Sequence, residues 1–356
     1  MLLARGARRI AFALMAFALF CCTGGRAQAA LLLEQPYGVY GDVNPTGHSA
    51  VYLERVCTVT PVRLRRCSPG ELGSVIARYE GIDGYDWVAM PLIPYLYSVE
   101  NAADVPLRVN RDQVRRMRER YREAHLHPLG LDKSGGSWVP DGWTQLVGVA
   151  YDRRIYALRF HSTPEQDDAL IAQLNSEPNR THFHMLTSNC ADFARSILDI
   201  YFPHTFRRSF FPDVGITTPK QLADKLGRYA RKHPDTELKV FEIPQVPGYR
   251  RNSHANKNVA ESFVTTAYAI PITLINPYIT GGLFVDYMTQ GRYQLIPKHP
   301  EIVQPDNLVA LTERASSTEN AGSAGEQAPG AVAGSLDETQ TATGTNTGLR
   351  EIKAMQ

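Results

Sequence analysis

Apolar and polar residues alternate over Val51–Val59 (VYLERVCTV), a β-rich run that predicts a strand. The preceding GDVNPTGHS carries Gly, Asn and Pro and predicts a loop leading into it. Asp86–Pro94 (DWVAMPLIP) is a short apolar run, expected to be a strand or extended piece. From Asn110 the period lengthens. Val114, Met117, Tyr121 and Ala124 share one helical face, and Asn110 with Gln113 fits a capping box. Arg111, Arg115, Arg116, Arg118, Arg120 and Arg122 cover much of the remainder, interleaved with Glu119 and Glu123, which predicts a solvated face rather than an anion-binding one. Leu131–Gly142 is a Gly/Pro/Ser loop, read as a connector in preference to a lid. TQLVGVAY and RIYALRFH, separated by Asp152 and Arg153, predict a hairpin. Thr163-Pro164-Glu165-Gln166 opens a helix to about Asn175. Thr181–Thr187 (THFHMLT) predicts a strand ended by Ser188-Asn189, and ADFARSILDIYF continues as a helix. Thr218-Pro219 opens another helix to about Lys232, and LKVFEI is a further strand.

The ends of the chain read differently. Arg5, Arg8 and Arg9 precede a 13-residue apolar run, Ile10–Cys22, followed by Ala27-Gln28-Ala29. That is a Sec-type signal peptide, 1–29, with cleavage expected after Ala29 and a destination in the periplasm or cell envelope. A lipidated Cys21 or Cys22 is disfavoured because Leu19 and Phe20 are not small. Removing the leader takes away four Arg and no acid, so 34 basic residues face 36 acidic ones, a net of −2. Nothing in that balance calls for nucleic acid. Beyond Leu311 the chain is rich in Ser, Thr, Gly, Ala, Glu and Gln, and 312–356 is expected to be disordered. Between them lie a main domain, 30–250, and an apolar extension, 251–311. Within the extension, Ser262–Val285 has no charge for 24 residues. Pro271, Pro277, Gly281 and Gly282 interrupt it, so a buried or interfacial segment is expected, with membrane contact as the alternative.

Cysteine arithmetic then singles out one residue. Cys21 and Cys22 leave with the leader. Cys57 and Cys67 stand ten residues apart around Pro61 on segments that can form a hairpin, and are natural disulfide partners in an exported chain. Cys190 is left over at the first turn of a helix, where free N–H groups and the helix dipole favour thiolate. A thiol nucleophile needs a base, and His48, in Gly47-His48-Ser49, is the candidate among ten histidines. His182 and His184 point to the same side of the predicted strand and are candidates to line the site. With no CxxC, no HExxH and no second nearby thiol, neither metal nor cofactor is expected.

GHSAVYLERV followed far downstream by HFHMLTSNCADF resembles the circularly permuted papain-like cysteine hydrolases and acyltransferases related to NlpC/P60 enzymes. The nearest likeness is to the Lnb-type bacterial periplasmic domain; lecithin:retinol acyltransferase-like proteins share the Asn-Cys helix start. The resemblance covers roughly residues 36–245. It implies an α+β fold, a permuted papain-like core whose antiparallel sheet packs against the helix carrying the cysteine. It also implies Cys190 as nucleophile, His48 as base and Asn189 beside the thiol, shaping the helix entry or contacting substrate. A third polar residue is expected on the strand after the His strand, where Thr60, Arg63 and Glu54 are candidates. The implied activity is attack on an amide or ester carbonyl through a Cys190 thioester. The partner is a cell-envelope lipid, lipoprotein or peptidoglycan-type substrate. A non-catalytic papain-like binding or scaffold protein is the other reading.

Overall fold

Ala27–Glu34 (AQAALLLE) forms strand β1, buried at all eight positions. The computed structural model describes residues 27–311 apart from 39–40, 42–44, 81, 83, 132–141, 181–182, 210–212, 249–252, 266–272, 292–295 and 298. The leader before Ala27, most of the Leu131–Gly142 loop, His182 and the tail from 312 therefore lie outside the described residues.

The remaining strands are β2 (His48–Leu53), β3 (Val56–Thr60), β4 (Arg63–Arg66), β5 (Ser74–Ala77) and β6 (Val88–Pro91). The described α-helices begin with α1 (Leu92–Tyr97), α2 (Arg111–Tyr121) and α3 (Val149–Asp152), then strand β7 (Ile155–Ser162). After it come α4 (Pro164–Ser176), α5 (Cys190–Tyr201), α6 (Pro219–Lys232), β8 (Lys239–Ile243), α7 (Val259–Thr265), α8 (Pro277–Asp286) and the short β9 (Glu301–Ile302). Seven strands make one sheet in the order β6-β5-β2-β1-β7-β8-β9. Every described pairing in it is antiparallel except β8 with β9. β1 is thus interior, which is why its sequence is a near-continuous apolar run rather than an alternation.

Helices cover both faces. Ala30, Leu32, Ala50 and Tyr52 pack towards α1, α2 and α3. Ala29, Leu31, Leu33 and Val51 pack towards α4, α5 and α6. Val303 and Leu308 join the first of these cores, so the extension after 250 completes the same sheet and interior. The fold is α+β, as expected from sequence.

The locally coded elements sit where the sequence puts them. Asn110, Thr163 and Thr218 cap α2, α4 and α6 through their side chains, each accepting from the N–H three residues on. Cys57 and Cys67 are bonded, closing the β3–β4 hairpin with Cα atoms 4.8 Å apart.

Four expectations are corrected. Val51–Val59 is two strands, broken by a turn at Glu54-Arg55. Asp86–Pro94 gives a strand only to Pro91 and then turns helical. The hairpin over TQLVGVAY and RIYALRFH does not form; only its second half is a strand. Gly148, at φ +72°, turns the chain into α3, and Arg118 takes the Val147 and Gly148 carbonyls that a ladder would need. That arginine is the exception on an α2 face whose Arg111, Arg115, Arg116 and Arg120 are exposed as expected: it is 8% exposed and pairs with buried Asp152 at 2.7 Å. The described part of Thr181–Thr187 is a tight turn, closed by mutual hydrogen bonds between His184 and Ser188.

Candidate active site

The Gly-His step at the head of β2 is fixed by crowding. Gly47 sits at φ +76°, and a Cβ there would lie 2.2 Å from Asn256 Nδ2 and 2.3 Å from the Glu34 carbonyl. No other residue fits that space. Asn256 donates to the Glu34 carbonyl at 2.8 Å and the Thr46 carbonyl at 3.0 Å, clamping the end of β1 to the entry of β2. Register then sets His48 directly across from Glu34, and Ser49 across from Leu33. Cross-strand partners point to the same face.

The thiol arrives on α5. Asn189 caps this helix: its Oδ1 accepts from Ala191 N–H at 2.8 Å and Asp192 N–H at 3.0 Å. Asp192 returns the bond to the Asn189 N–H, completing the capping box. Asn189 Nδ2 donates to the carbonyls of Met185 and Thr217. Every polar atom of the side chain is committed, so Asn189 positions the helix start and is not free to hold substrate. No hydrogen bond to the Cys190 N–H is present among the described residues.

α5 packs on β2 and brings the Cys190 thiol beside the His48 imidazole, 142 residues earlier in the chain; His48 Nε2 is buried with no other hydrogen-bond partner among the described residues. Burial pushes the thiol up, but the neighbouring His48 and, after it, Ser49 outweigh burial, and the thiol is held below its ordinary value. Burial likewise depresses the imidazole, yet the Cys190 thiolate and the Glu34 carboxylate raise it above 6.5, against a lowering by Arg153. Opposite shifts on two neighbouring groups are what mutual stabilisation of a thiolate and an imidazolium produces.

Behind the imidazole lies a buried polar chain that sequence reasoning missed. The His48 ring stacks on Tyr79, centroids 4.8 Å apart and planes within 15°. Tyr79 donates to the Tyr95 hydroxyl at 3.2 Å, and Tyr95 donates to Glu34 Oε1. Arg153 Nη1 pairs with Glu34 Oε2 at 3.1 Å and stacks over Tyr37. Burial and the nearby Glu34 hold both tyrosines well above the ordinary phenol range, so they remain neutral donors. Glu34 is wholly buried. Its signal in sequence is faint: a carboxylate closing the apolar run ALLLE. Only the register reveals that it faces His48.

The candidates for a third residue after the His strand are therefore corrected. Glu54 accepts from the Gln28 N–H, at the opposite end of β1 from Glu34. Thr60 and Arg63 belong to the β3–β4 hairpin, outside the main sheet.

His184 does not line a strand. It is exposed in the turn before Ser188, and its Nδ1 bonds the Thr187 hydroxyl at 3.0 Å. Arg78 is a further neighbour. It donates to Ser188 Oγ at 2.9 Å and to Asp86 at 2.6 Å, with its guanidinium over Phe193. Among the described residues, Cys57, Cys67 and Glu71 form the one group compact enough for a metal ion. Both its sulfurs are in the disulfide and its carboxylate is paired with Arg65.

Comparison of the chain with protein-family models, curated proteins and solved structures gives no match.

Proposed function

We propose that this chain is an envelope thiol enzyme that acts on an amide or ester carbonyl through a Cys190 thioester, with His48 as base and acid. The observation that carries this reading is the Cys190–His48 contact with its opposed shifts, which packing alone does not call for. The thiolate attacks the carbonyl carbon, forming the C–S bond and moving the carbonyl electron pair onto oxygen. In this reading the Cys190 N–H, at the positive end of α5, receives that oxyanion. Imidazolium gives its proton to the departing amine or alcohol as the carbonyl re-forms. His48 then takes a proton from water, or from an acceptor amine or alcohol, and that nucleophile releases the acyl group and the thiolate. Water makes the enzyme a hydrolase; an acceptor makes it an acyltransferase.

The order of parts supports the same reading. The Gly-His strand precedes the helix opened by Asn-Cys in the chain, and that helix packs on the strand within a mainly antiparallel sheet. That is the arrangement the resemblance to permuted papain-like enzymes implies. It favours a substrate from the same range: a lipid-linked acyl group or a peptidoglycan-type amide.

The test is alkylation of Cys190 as a function of pH, in the wild type and in His48→Ala. The expected midpoint lies below about 8.5, the free-thiol value, and rises in His48→Ala. Cys190→Ala should abolish acyl-enzyme formation with envelope lipids or muropeptides while the protein stays folded. An inert thiol in both proteins would overturn the proposal and leave the chain as a binding scaffold.

A further inference from the structure

α8 is apolar on every side, yet it is exposed. Tyr278 is 88% exposed, Val285 60%, Ile279 51% and Phe284 50%, and the adjoining Leu274 and Ile275 are each 82% exposed. Asp286 is the one charged residue between Ser262 and Gly291, and it is buried. A helix that is apolar all round belongs in an interior or against lipid, and a contiguous exposed patch of this kind marks a partner.

Length decides between spanning and lying flat. Ten residues of helix cover about 15 Å, half the roughly 30 Å hydrocarbon core. No helix among the described residues is long and apolar enough to cross a membrane. Charge then indicates the partner. Along the sequence, residues 250–298 carry five basic residues, Arg250, Arg251, Lys257, Arg292 and Lys298, against two acidic ones, Glu261 and Asp286. An apolar segment with net positive charge suits an anionic bilayer face.

The patch is also tied to the candidate site. α8 packs on α7, and the segment leading into α7 is the one that clamps the Gly47-His48 entry through Asn256. Lys257 N–H donates to the Pro45 carbonyl at 3.0 Å, and Lys220 pairs with Glu261 at 2.6 Å.

We infer that α8 and the residues on either side of it, Leu274–Met288, form a docking surface for a lipid bilayer. They lie in the headgroup–acyl boundary and bring the Cys190 face of the sheet to the membrane. The inference is separable from the chemistry, because binding requires no thiol.

Flotation tests it, using the chain recovered after export with vesicles of phosphatidylcholine, with and without phosphatidylglycerol. The protein should float with both and more completely with the anionic vesicles. Ile275→Glu and Phe284→Glu should each weaken partition by more than about tenfold without lowering the melting temperature, since both side chains are exposed. Cys190→Ala should float like the wild type. Failure to float, or flotation unaffected by either glutamate, would overturn the inference. So would a lipid-free dimer that the glutamates convert to monomer, because a second copy would then cover the patch.

Discussion

Beside Cys190, His48 takes part of its electrostatic setting from a carboxylate one strand away. Glu34 lies opposite it in the register, is fully buried, and balances Arg153. Its negative charge favours imidazolium, and imidazolium favours the Cys190 thiolate. Glu34→Gln keeps the shape and removes the charge, leaving Arg153 to act alone on His48 in the lowering direction. The imidazole should therefore fall and the thiol rise. The midpoint of Cys190 alkylation is expected to move up by about one unit, which costs roughly tenfold in thiolate at any pH below it. Breaking a buried ion pair also costs stability, about 3–5 kcal/mol. Tyr95→Phe removes only the hydroxyl that holds Glu34 Oε1 and is the control, with a smaller shift of the same sign. An unaltered midpoint in folded Glu34→Gln would mean that the carboxylate is structural alone.

At the scale of elements, the start of α5 joins stability to reactivity. Asn189→Asp tests the connection, because Asp is as good an N-cap as Asn. The cap bonds to Ala191 and Asp192 should survive, and those to the Met185 and Thr217 carbonyls should be lost. A second negative charge beside the thiolate should raise the thiol, slow alkylation at neutral pH and change the melting temperature little. A large loss of stability with an unchanged pH profile would show that the two carbonyl bonds matter more than the charge. The helix starts at Asn110, Thr163 and Thr218 were legible in sequence because a cap is a code within four residues. So was the Cys57–Cys67 hairpin, because its two cysteines stand ten residues apart around a proline. What failed was what depends on distant partners. Gln145–Tyr151 has strand composition, but Arg118 claims its carbonyls from another helix. β1 escaped notice because an interior strand shows no alternation and runs on from the leader. Glu34, at its end, escaped with it.

At the scale of the whole molecule, β1 constrains how the exported chain is made. The Ala27-Gln28-Ala29 signal, expected to be cut after Ala29, is the first part of this interior strand. These residues pair with Leu53 on one side and with Ser162, His161 and Phe160 on the other. The Gln28 N–H donates to Glu54 at 2.8 Å, and the Gln28 carbonyl accepts from the Glu54 N–H at 3.0 Å. Ala29 is wholly buried against the α4, α5 and α6 core. Removing the three residues would strip partners from β7 and from the turn after β2. Each buried group left unsatisfied costs about 1–3 kcal/mol, a large share of the few kcal/mol by which a domain is stable. Cleavage behind Gly24 or Gly25 retains the whole strand and still places small residues at the cut, with Cys22 or Thr23 two residues before it. The exported protein is therefore expected to begin at Gly25 or Arg26. Intact mass and N-terminal sequencing of the recovered chain would decide it. A chain beginning at Ala30 would require the sheet to hold together without the first three residues of β1, and its melting temperature should then match that of a form carrying them.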